Sequence, residues 1–497
     1  MDYLILLPIL IPVCMGLLLV FGKGFHTSRA YGFYGALGGA LTLAAVIAVC
    51  MQGEPSLTLF TLSGNLDIYF HTDGTARLFA VLGCVLWILI AFYSVAYFHE
   101  PEPSFDSQRR LKRYYVFYLV SLGVIMALCQ AGNVITMYMF FEMMTLTTFP
   151  FVFHNQTKEA VRGALKYLFF SICGAMTALA GIFFLYQYCD GLKFTPGGIV
   201  DAALVQGHEQ VVLAAAMLCI IGFGAKAGMF PLHAWLPVAH PVAPAPASAL
   251  LSGFIAKCGV LTIFRMVFYV VGAKRLIGSW VQYVWMILAL ATVFMGSMLA
   301  YREKILKKRL AYSTVSQISY ILFGLSLMNG YGLLGGCLHV VFHSIVKTVL
   351  FLFSGVIIHQ TGETSVAGLD GLGRRMPVTY VCFTLVSITL VGIPPTSAFM
   401  SKLYLCMGAA QSSQPWIVYT GITVLLVSAL LTAGYLLSIT VKGFYDSTEK
   451  KHDSSGSLEP GWYMLAPMVI LTVLALGLGL YTQPLMEFLM SFITKLV

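Results

Sequence analysis

Residues 219–240 read CIIGFGAKAGMFPLHAWLPVAH. An apolar run carries one lysine, Lys226, and then meets Pro231 and Pro237. Proline removes an amide donor and clashes with the preceding turn, so a helix arriving from residue 210 must kink or break over 229–237. Non-helical backbone at membrane depth is tolerated only where protein or water covers it. Two readings stay open: a proline kink whose lysine snorkels to the interface, and a broken helix holding a titratable amine at its discontinuity, as transporters do. Residues 385–405, LVSITLVGIPPTSAFMSKLYL, repeat the arrangement, with Pro394 and Pro395 interrupting the run and Lys402 one to two turns beyond. Paired interrupted segments in the two halves of a chain point to a repeat and to a transport path.

Composition puts both stretches in a bilayer. The chain has 497 residues, 59% of them hydrophobic and 10% charged, against about 25% charged in a soluble domain. Its mean hydropathy is +0.86. The expected fold is an all-α integral membrane protein. At about 20 apolar residues per crossing, there is room for about fourteen segments, the seventh at 210–230, the eighth at 243–271, the tenth at 311–328, the eleventh at 332–358, the twelfth at 377–407 and the fourteenth at 463–490. Residues 53–73 alternate and read as an external hairpin of two short strands. Residues 445–460 read as a polar, Ser-rich loop.

The net charge of +9 reports topology rather than nucleic-acid binding. Arg109, Arg110, Lys112 and Arg113, then Lys158, Arg162 and Lys166, then 302–309 (REKILKKR), then Arg374, Arg375, Lys450 and Lys451 all follow odd-numbered segments. The positive-inside rule puts these loops in the cytoplasm and both termini outside. Asp2 before the first apolar run and Lys23 after it fit an uncleaved first helix. Segments four to eight then start inside and nine to thirteen outside, which makes two inverted five-helix repeats with broken helices at segments seven and twelve. The units are 1–112 with the hairpin, 113–272, 273–443, and 444–497 with the polar loop and last helix. The 11 cysteines lie singly, with no C-x-x-C pair, so no metal centre, iron–sulfur cluster or other cofactor is expected.

Ionisable groups inside these segments cost about 2.5–3.5 kcal/mol each on insertion scales and mark function. Glu142 stands in YMFFEMMTLTTFPF (138–151), the one carboxylate deep in a long apolar run, and Lys257 stands in ASALLSGFIAKCGVLTIFR (247–265). In CLHVVFHSIVKTVLFLFSG (337–355), His339, His343 and Lys347 recur every four residues, on one slowly rotating face about 6 Å apart along the axis. Such a string suits a relay with water in the gaps. Glu142 is expected to pair with Lys226, since opposite charges close together stabilise one another in low dielectric. His233 and His240 flank the first break and could be structural, gating or bonded to freed carbonyls. Arg265 is expected to snorkel at the outer end of its helix, and 302–309 to be solvated. No P-loop, dinucleotide fingerprint, haem-attachment motif or Ser/His/Asp arrangement is present.

The strings FFEMMTL, PLHAWLP, RLAYSTVSQ, HVVFHSIVKTVLFLFSG and GIPPTSAFMSKLYL resemble the antiporter-like subunits shared by respiratory complex I, Mrp-type sodium/proton antiporters and membrane-bound group 4 hydrogenases, over roughly residues 70–440. The resemblance implies a 14-helix core with two inverted repeats. It implies Glu142 and Lys226 as the ion pair of a first half-channel, Lys257 as the link to the centre, His339, His343 and Lys347 as the continuing axis, and Lys402 as the terminal lysine. Many relatives have histidine where Gln317 stands, and glutamine cannot titrate. The function so expected is proton conduction, or sodium/proton exchange, inside a multisubunit redox-driven pump or antiporter of a prokaryotic inner membrane. Its partners would be other membrane subunits, further antiporter-like ones included. As part of such an oxidoreductase complex the chain would translocate ions without a redox centre of its own. A non-pumping scaffold subunit is the alternative, and a solo carrier of an organic solute lacks a pocket signature. Sodium would need oxygen ligands, which Thr145, Thr147, Ser248 and Ser252 could supply.

Overall fold

The computed structural model describes residues 2–22, 25–64, 66–100, 104–445 and 456–496. Lys23, Lys450, Lys451 and most of the expected polar loop lie outside the described residues. The chain runs through α1 (Leu7–Phe21), α2 (Ser28–Cys50), the strands β1 (Ser56–Ser63) and β2 (Leu66–His71), α3 (Gly74–Tyr97), α4 (Phe105–Cys129), α5 (Val134–Val152) and α6 (Lys158–Tyr186). Then come α7 (Glu209–Ala227), α8 (Leu236–Val242), α9 (Ala245–Val271), α10 (Trp280–Arg302), α11 (Leu306–Ser326) and α12 (Gly330–Thr361). The chain closes with α13 (Pro377–Val391), α14 (Ser397–Ala410), α15 (Pro415–Phe444), α16 (Trp462–Leu480) and α17 (Gln483–Ile493).

Among the described residues, 12 helical stretches are long and apolar enough to cross a membrane. The tenth expected segment, α11, has the length without the apolarity. Its Ser313, Thr314, Ser316, Gln317 and Ser319 are fully buried, so it faces protein on all sides and hydrogen bonds replace hydrophobicity there. The twelfth is divided into α13 and α14. The last expected span, 463–490, is not one helix: α16 stops at Leu480 and α17 starts at Gln483, where Pro484 takes the first-turn position that proline tolerates.

Helix starts are marked by side-chain caps: Asp73 accepts from the Ala76 amide at 2.9 Å, Asn133 from Thr136 at 2.8 Å and Asn329 from Gly332 at 2.8 Å. Each satisfies an amide that the helix leaves free. The β1–β2 hairpin pairs antiparallel from Ser56↔His71 to Ser63↔Leu66. It is stitched to the start of α5, where Tyr69 N donates to Thr136 Oγ1 at 2.9 Å and Asn133 Nδ2 to the Asp67 carbonyl at 2.7 Å.

Two helices form the axis. Every residue of α9 is buried, as are residues 332–357 of α12, and a helix apolar all round belongs in the interior. Outer helices turn side chains such as Leu37, Phe169, Phe183, Leu430 and Val473 outward. Small residues bring neighbours close. A Cβ on Gly222 of α7 would run into the Ala178 backbone of α6, and one on Gly335 of α12 would meet Leu405 N of α14 at 2.7 Å, the close approach that membrane helix pairs use.

The eighth segment holds a feature with no local sequence signal. Within α9, residues Leu251–Ile255 and Met266–Val271 wind as π-helix. Such turns interrupt the regular hydrogen-bond ladder and cluster at functional sites. Lys257 lies two residues after the first and Arg265 directly before the second.

Candidate functional site

α7 ends where Gly228 takes a left-handed conformation, φ 77°, which glycine adopts without cost. The Phe230–Pro231 peptide is cis, a 3-10 turn covers Leu232–Trp235, and α8 follows. The break is therefore 228–231, shorter than the expected 229–237. Pro237 does not interrupt a helix, because it lies in the first turn of α8, where no intrahelical amide bond is lost.

Lys226, in the last turn of α7, is 1% exposed. Its Nζ donates to Tyr167 OH at 2.7 Å, Thr145 Oγ1 at 2.9 Å and Ser171 Oγ at 3.2 Å. Those three bonds use all the donors an ammonium has. Thr148 Oγ1 lies 2.6 Å from Tyr167 OH and extends the hydroxyl cluster.

The expected Glu142–Lys226 ion pair is not formed: no contact joins them, and Glu142 Oε1 has no protein donor. Both Glu142 and Thr145 belong to α5, but three residues rotate a helix by about 300°. Thr145 thus faces inward and is buried, while Glu142 lies about 60° off it on a half-exposed flank. Met143 and Leu146, exposed by 40% and 62%, border that flank.

The second break has the same outline with different partners. Gly392 ends α13 at φ 89°, and the Pro394–Pro395 peptide is cis. Lys402, one turn into α14, reaches back so that Nζ donates to the Leu390 and Val391 carbonyls at 2.7 and 2.9 Å, with the Tyr320 ring 5.2 Å away. A cation at the negative end of a helix dipole is favoured.

Between the breaks, Lys257, His339, His343 and Lys347 are all fully buried. Lys257 Nζ donates to the Ser252 carbonyl within the π turn. The Ser252 hydroxyl lies 2.7 Å from Thr314 Oγ1 of α11. Lys347 Nζ donates to Ser313 Oγ at 2.6 Å and the Leu310 carbonyl at 3.1 Å. His339 and His343 stack, with ring centroids 5.7 Å apart and planes 8° from parallel. His339 also bridges two helices, Nδ1 lying 2.9 Å from Ser401 Oγ and Nε2 3.2 Å from Gln317 Oε1. Ser401 precedes Lys402, so the axis reaches the second break through this bond. At the other end α9 packs on α7 beside Lys226, where a Cβ on Gly259 would stand 3.1 Å from Lys226 Cβ.

Several buried polar atoms on this line have no protein partner: both ring nitrogens of His343 and of His240, and Gln317 Nε2. His240 stacks on Phe351 of α12 with centroids 4.6 Å apart, beside the axis. His233 and Pro231 do not join it. His233 is half-buried and stacks on Phe230 with centroids 5.9 Å apart.

A family model described as NADH:quinone oxidoreductase/Mrp antiporter, TM, matches residues 131–432, more than half of the chain and all of this line. The chain belongs to that family. It is 28% identical to an NADH-quinone oxidoreductase membrane chain, subunit N of Desulforudis audaxviator, with 90% of this chain and 91% of that one covered. It is 26% identical to an Na(+)/H(+) antiporter subunit of Alkalihalophilus pseudofirmus, covering 98% and 96%. Among solved structures, a chain of the Mrp complex from a Dietzia species superposes with a TM-score of 0.84 at 22% identity, covering 100% of this chain and 97% of that one. The fold is thus that of an antiporter-like, multi-pass membrane subunit.

Some buried charges in this family member escaped sequence reasoning. Arg265 does not snorkel: it is 3% exposed and forms a forked ion pair with Asp73, at 2.5 and 2.8 Å. Burial opposes ionisation of the Asp73 carboxyl, but the Arg265 guanidinium more than offsets it and holds that group at about 2. Asp73 caps α3, and its ion-pair partner lies 192 residues away in the chain, beyond the reach of any local reading. The run 302–309 is only partly solvated. Lys307 is buried and donates to the Ala243 carbonyl at the end of α8, at 2.7 Å. Arg309 is buried and donates to the Tyr435 carbonyl at 3.0 Å. Arg302 and Lys304 are exposed, and the part-exposed Lys308 pairs with Glu303 at 2.8 Å.

Proposed function

We propose that this chain conducts protons across a prokaryotic inner membrane as one subunit of a larger redox-driven pump or Mrp-type antiporter. The observation that carries the reading is the line of buried cations and imidazoles from Lys226 through Lys257, Lys347, His343 and His339 to Lys402. A bare structural scaffold gains nothing from six buried titratable groups, each costly in an apolar interior. The partnerless nitrogens of His343 and Gln317 are places where water would bridge the line.

In this reading Glu142 and Lys226 form a switch. The amine rests on hydroxyls, and the carboxylate waits on the half-exposed flank of α5. A change in that flank's surroundings would draw the two together and alter the charge each prefers. The exposed Met143 and Leu146 beside Glu142 suit contact with a neighbouring membrane subunit, such as a further antiporter-like one. The two breaks, with a lysine at each, support inverted repeats over 113–272 and 273–443. The positive-inside distribution supports both termini on the outer side.

Protons fit better than sodium. The line is built of amines and imidazoles, which exchange protons, whereas sodium is held by oxygen ligands, and Thr145, one of the four candidate hydroxyls, already accepts from Lys226.

Ion movement by vesicles carrying the complete complex, with wild-type chain or E142Q, tests the proposal. It predicts loss of translocation with normal assembly. Undiminished translocation in assembled E142Q removes the switch. Undiminished translocation when the lysines are also replaced leaves the scaffold reading.

A further inference from the structure

We propose that the start of α4 forms a binding site for the phosphate of an anionic phospholipid. A cavity of about 390 Å³ opens at the neighbouring helix ends, lined by His99, Arg110 and His154 among others. Arg110 is shared with a second, smaller cavity of about 320 Å³, and it is this second one that the site occupies. Asp106, Arg109, Arg110, Arg113 and Gln156 line it. Among the described residues, three guanidinium groups thus face one space with a single carboxylate beside them.

None of the three arginines has an ion-pair partner among the described residues. Arg113 carries the clearest sign: its Nη2 is buried and has no protein acceptor. A guanidinium cannot shed its charge, and a buried donor left unpaired is costly. An oxyanion that accepts two parallel N–H bonds is the natural complement of that fork. Gln156, which also lines the space, is one of two non-glycine residues with positive φ among the described residues, at 56°, a conformation that costs energy and tends to persist where the surroundings use it.

Depth selects a lipid. From Arg113 to Cys129, the end of α4, is 16 residues, about 24 Å at 1.5 Å per residue, close to the roughly 30 Å hydrocarbon thickness. The arginines therefore stand at headgroup level. Phe105, at the helix start, is 81% exposed, an aromatic side chain suited to the same interface. The exposed Lys158 and Arg162 at the start of α6 add to the positive field that draws anionic lipid to a membrane surface. A zwitterionic headgroup would bring its own cation into this cluster and be disfavoured. This site is independent of the proton path.

The test uses the full-length chain in neutral detergent. Thermal unfolding and native mass spectrometry are recorded with phosphatidylglycerol, phosphatidylcholine or inorganic phosphate added. Phosphatidylglycerol is expected to raise the unfolding midpoint and to remain bound, while the other two do neither. In R109Q/R110Q/R113Q the midpoint gain disappears and phosphatidylglycerol binds at least about tenfold more weakly, the equivalent of losing one good charged hydrogen bond. If that variant does not accumulate, R109Q/R110Q, which leaves the buried arginine in place, carries the test and must show a reduced gain. A gain equal to wild type in the variant overturns the proposal. So does a gain reproduced by inorganic phosphate, which would make the ligand a soluble anion, or one of the same size with phosphatidylcholine.

Discussion

Lys226 and Lys402 each sit beside a broken helix, yet opposite kinds of neighbour hold them. Lys226 rests on three side-chain hydroxyls, with a carboxylate waiting one helix face away. Lys402 rests on two backbone carbonyls that the break of α13 sets free. Hydroxyls can rotate, donate or accept, so the first amine can be released and recaptured as charge nearby changes. Carbonyls accept only, and they belong to the frame of the fold. The first site is thus adjustable and the second fixed. In the proposed path, the first is where a partner's signal acts and the second is where the proton waits for its exit.

The largest expected effect falls on both sites alike. K226M and K402M should each lower proton translocation by the assembled complex by about a hundredfold, the low end of what a positioned proton-transfer group contributes. Proton uptake by inverted vesicles reads this. A variant with near-normal rates would take its lysine off the path and leave the other half alone to be explained.

Stability should then separate them. K402M strands the Leu390 and Val391 carbonyls and should cost about 1–3 kcal/mol. K226M leaves hydroxyls that can bond one another and should cost less, about 1 kcal/mol or below. Denaturation of the purified chains measures the difference. Equal losses would erase the contrast between an adjustable and a fixed site.

A smaller effect is expected at Gln317, whose Oε1 sits 3.2 Å from His339 Nε2. Gln317 cannot titrate, but by accepting from Nε2 it leaves Nδ1 to face Ser401, so it orients the proton handover without carrying the proton. Q317L should slow translocation several-fold and cost about 1 kcal/mol, whereas Q317H should keep the rate and add a new pH dependence. A Q317L rate equal to wild type would mean that His339 needs no orienting. The smallest effect belongs to S171A, which removes the longest of the three Lys226 bonds, 3.2 Å. Thermal unfolding should register about 0.5–1 kcal/mol, and a loss above that range would make the cluster rigid rather than adjustable.

Much of this was readable in the sequence because a bilayer enforces simple rules. Runs of about 20 apolar residues marked the helices, prolines marked both breaks, and lysines in apolar context marked the line. What escaped depended on rotation and on distant partners. Glu142 and Thr145 are three residues apart, yet about 60° of rotation leaves Glu142 on a half-exposed flank and Thr145 fully inside, so the expected ion pair gave way to hydroxyls. Arg265 reads as a snorkelling cation until Asp73 is brought beside it. Lys307 and Arg309 sit in a basic run that resembles solvated loop, and only tertiary packing against the end of α8 and the body of α15 buries them. The π turns of α9 have no local code, although the one at Leu251–Ile255 presents the carbonyl that Lys257 uses.

The central claim is that the two halves communicate through the axis, and Lys257 is its middle. Proton translocation by sealed vesicles bearing the complete complex with K257M, alongside a count of assembled complexes, tests it most directly. The account predicts assembly near the wild-type level with translocation all but lost. Full assembly with an unchanged translocation rate would contradict it.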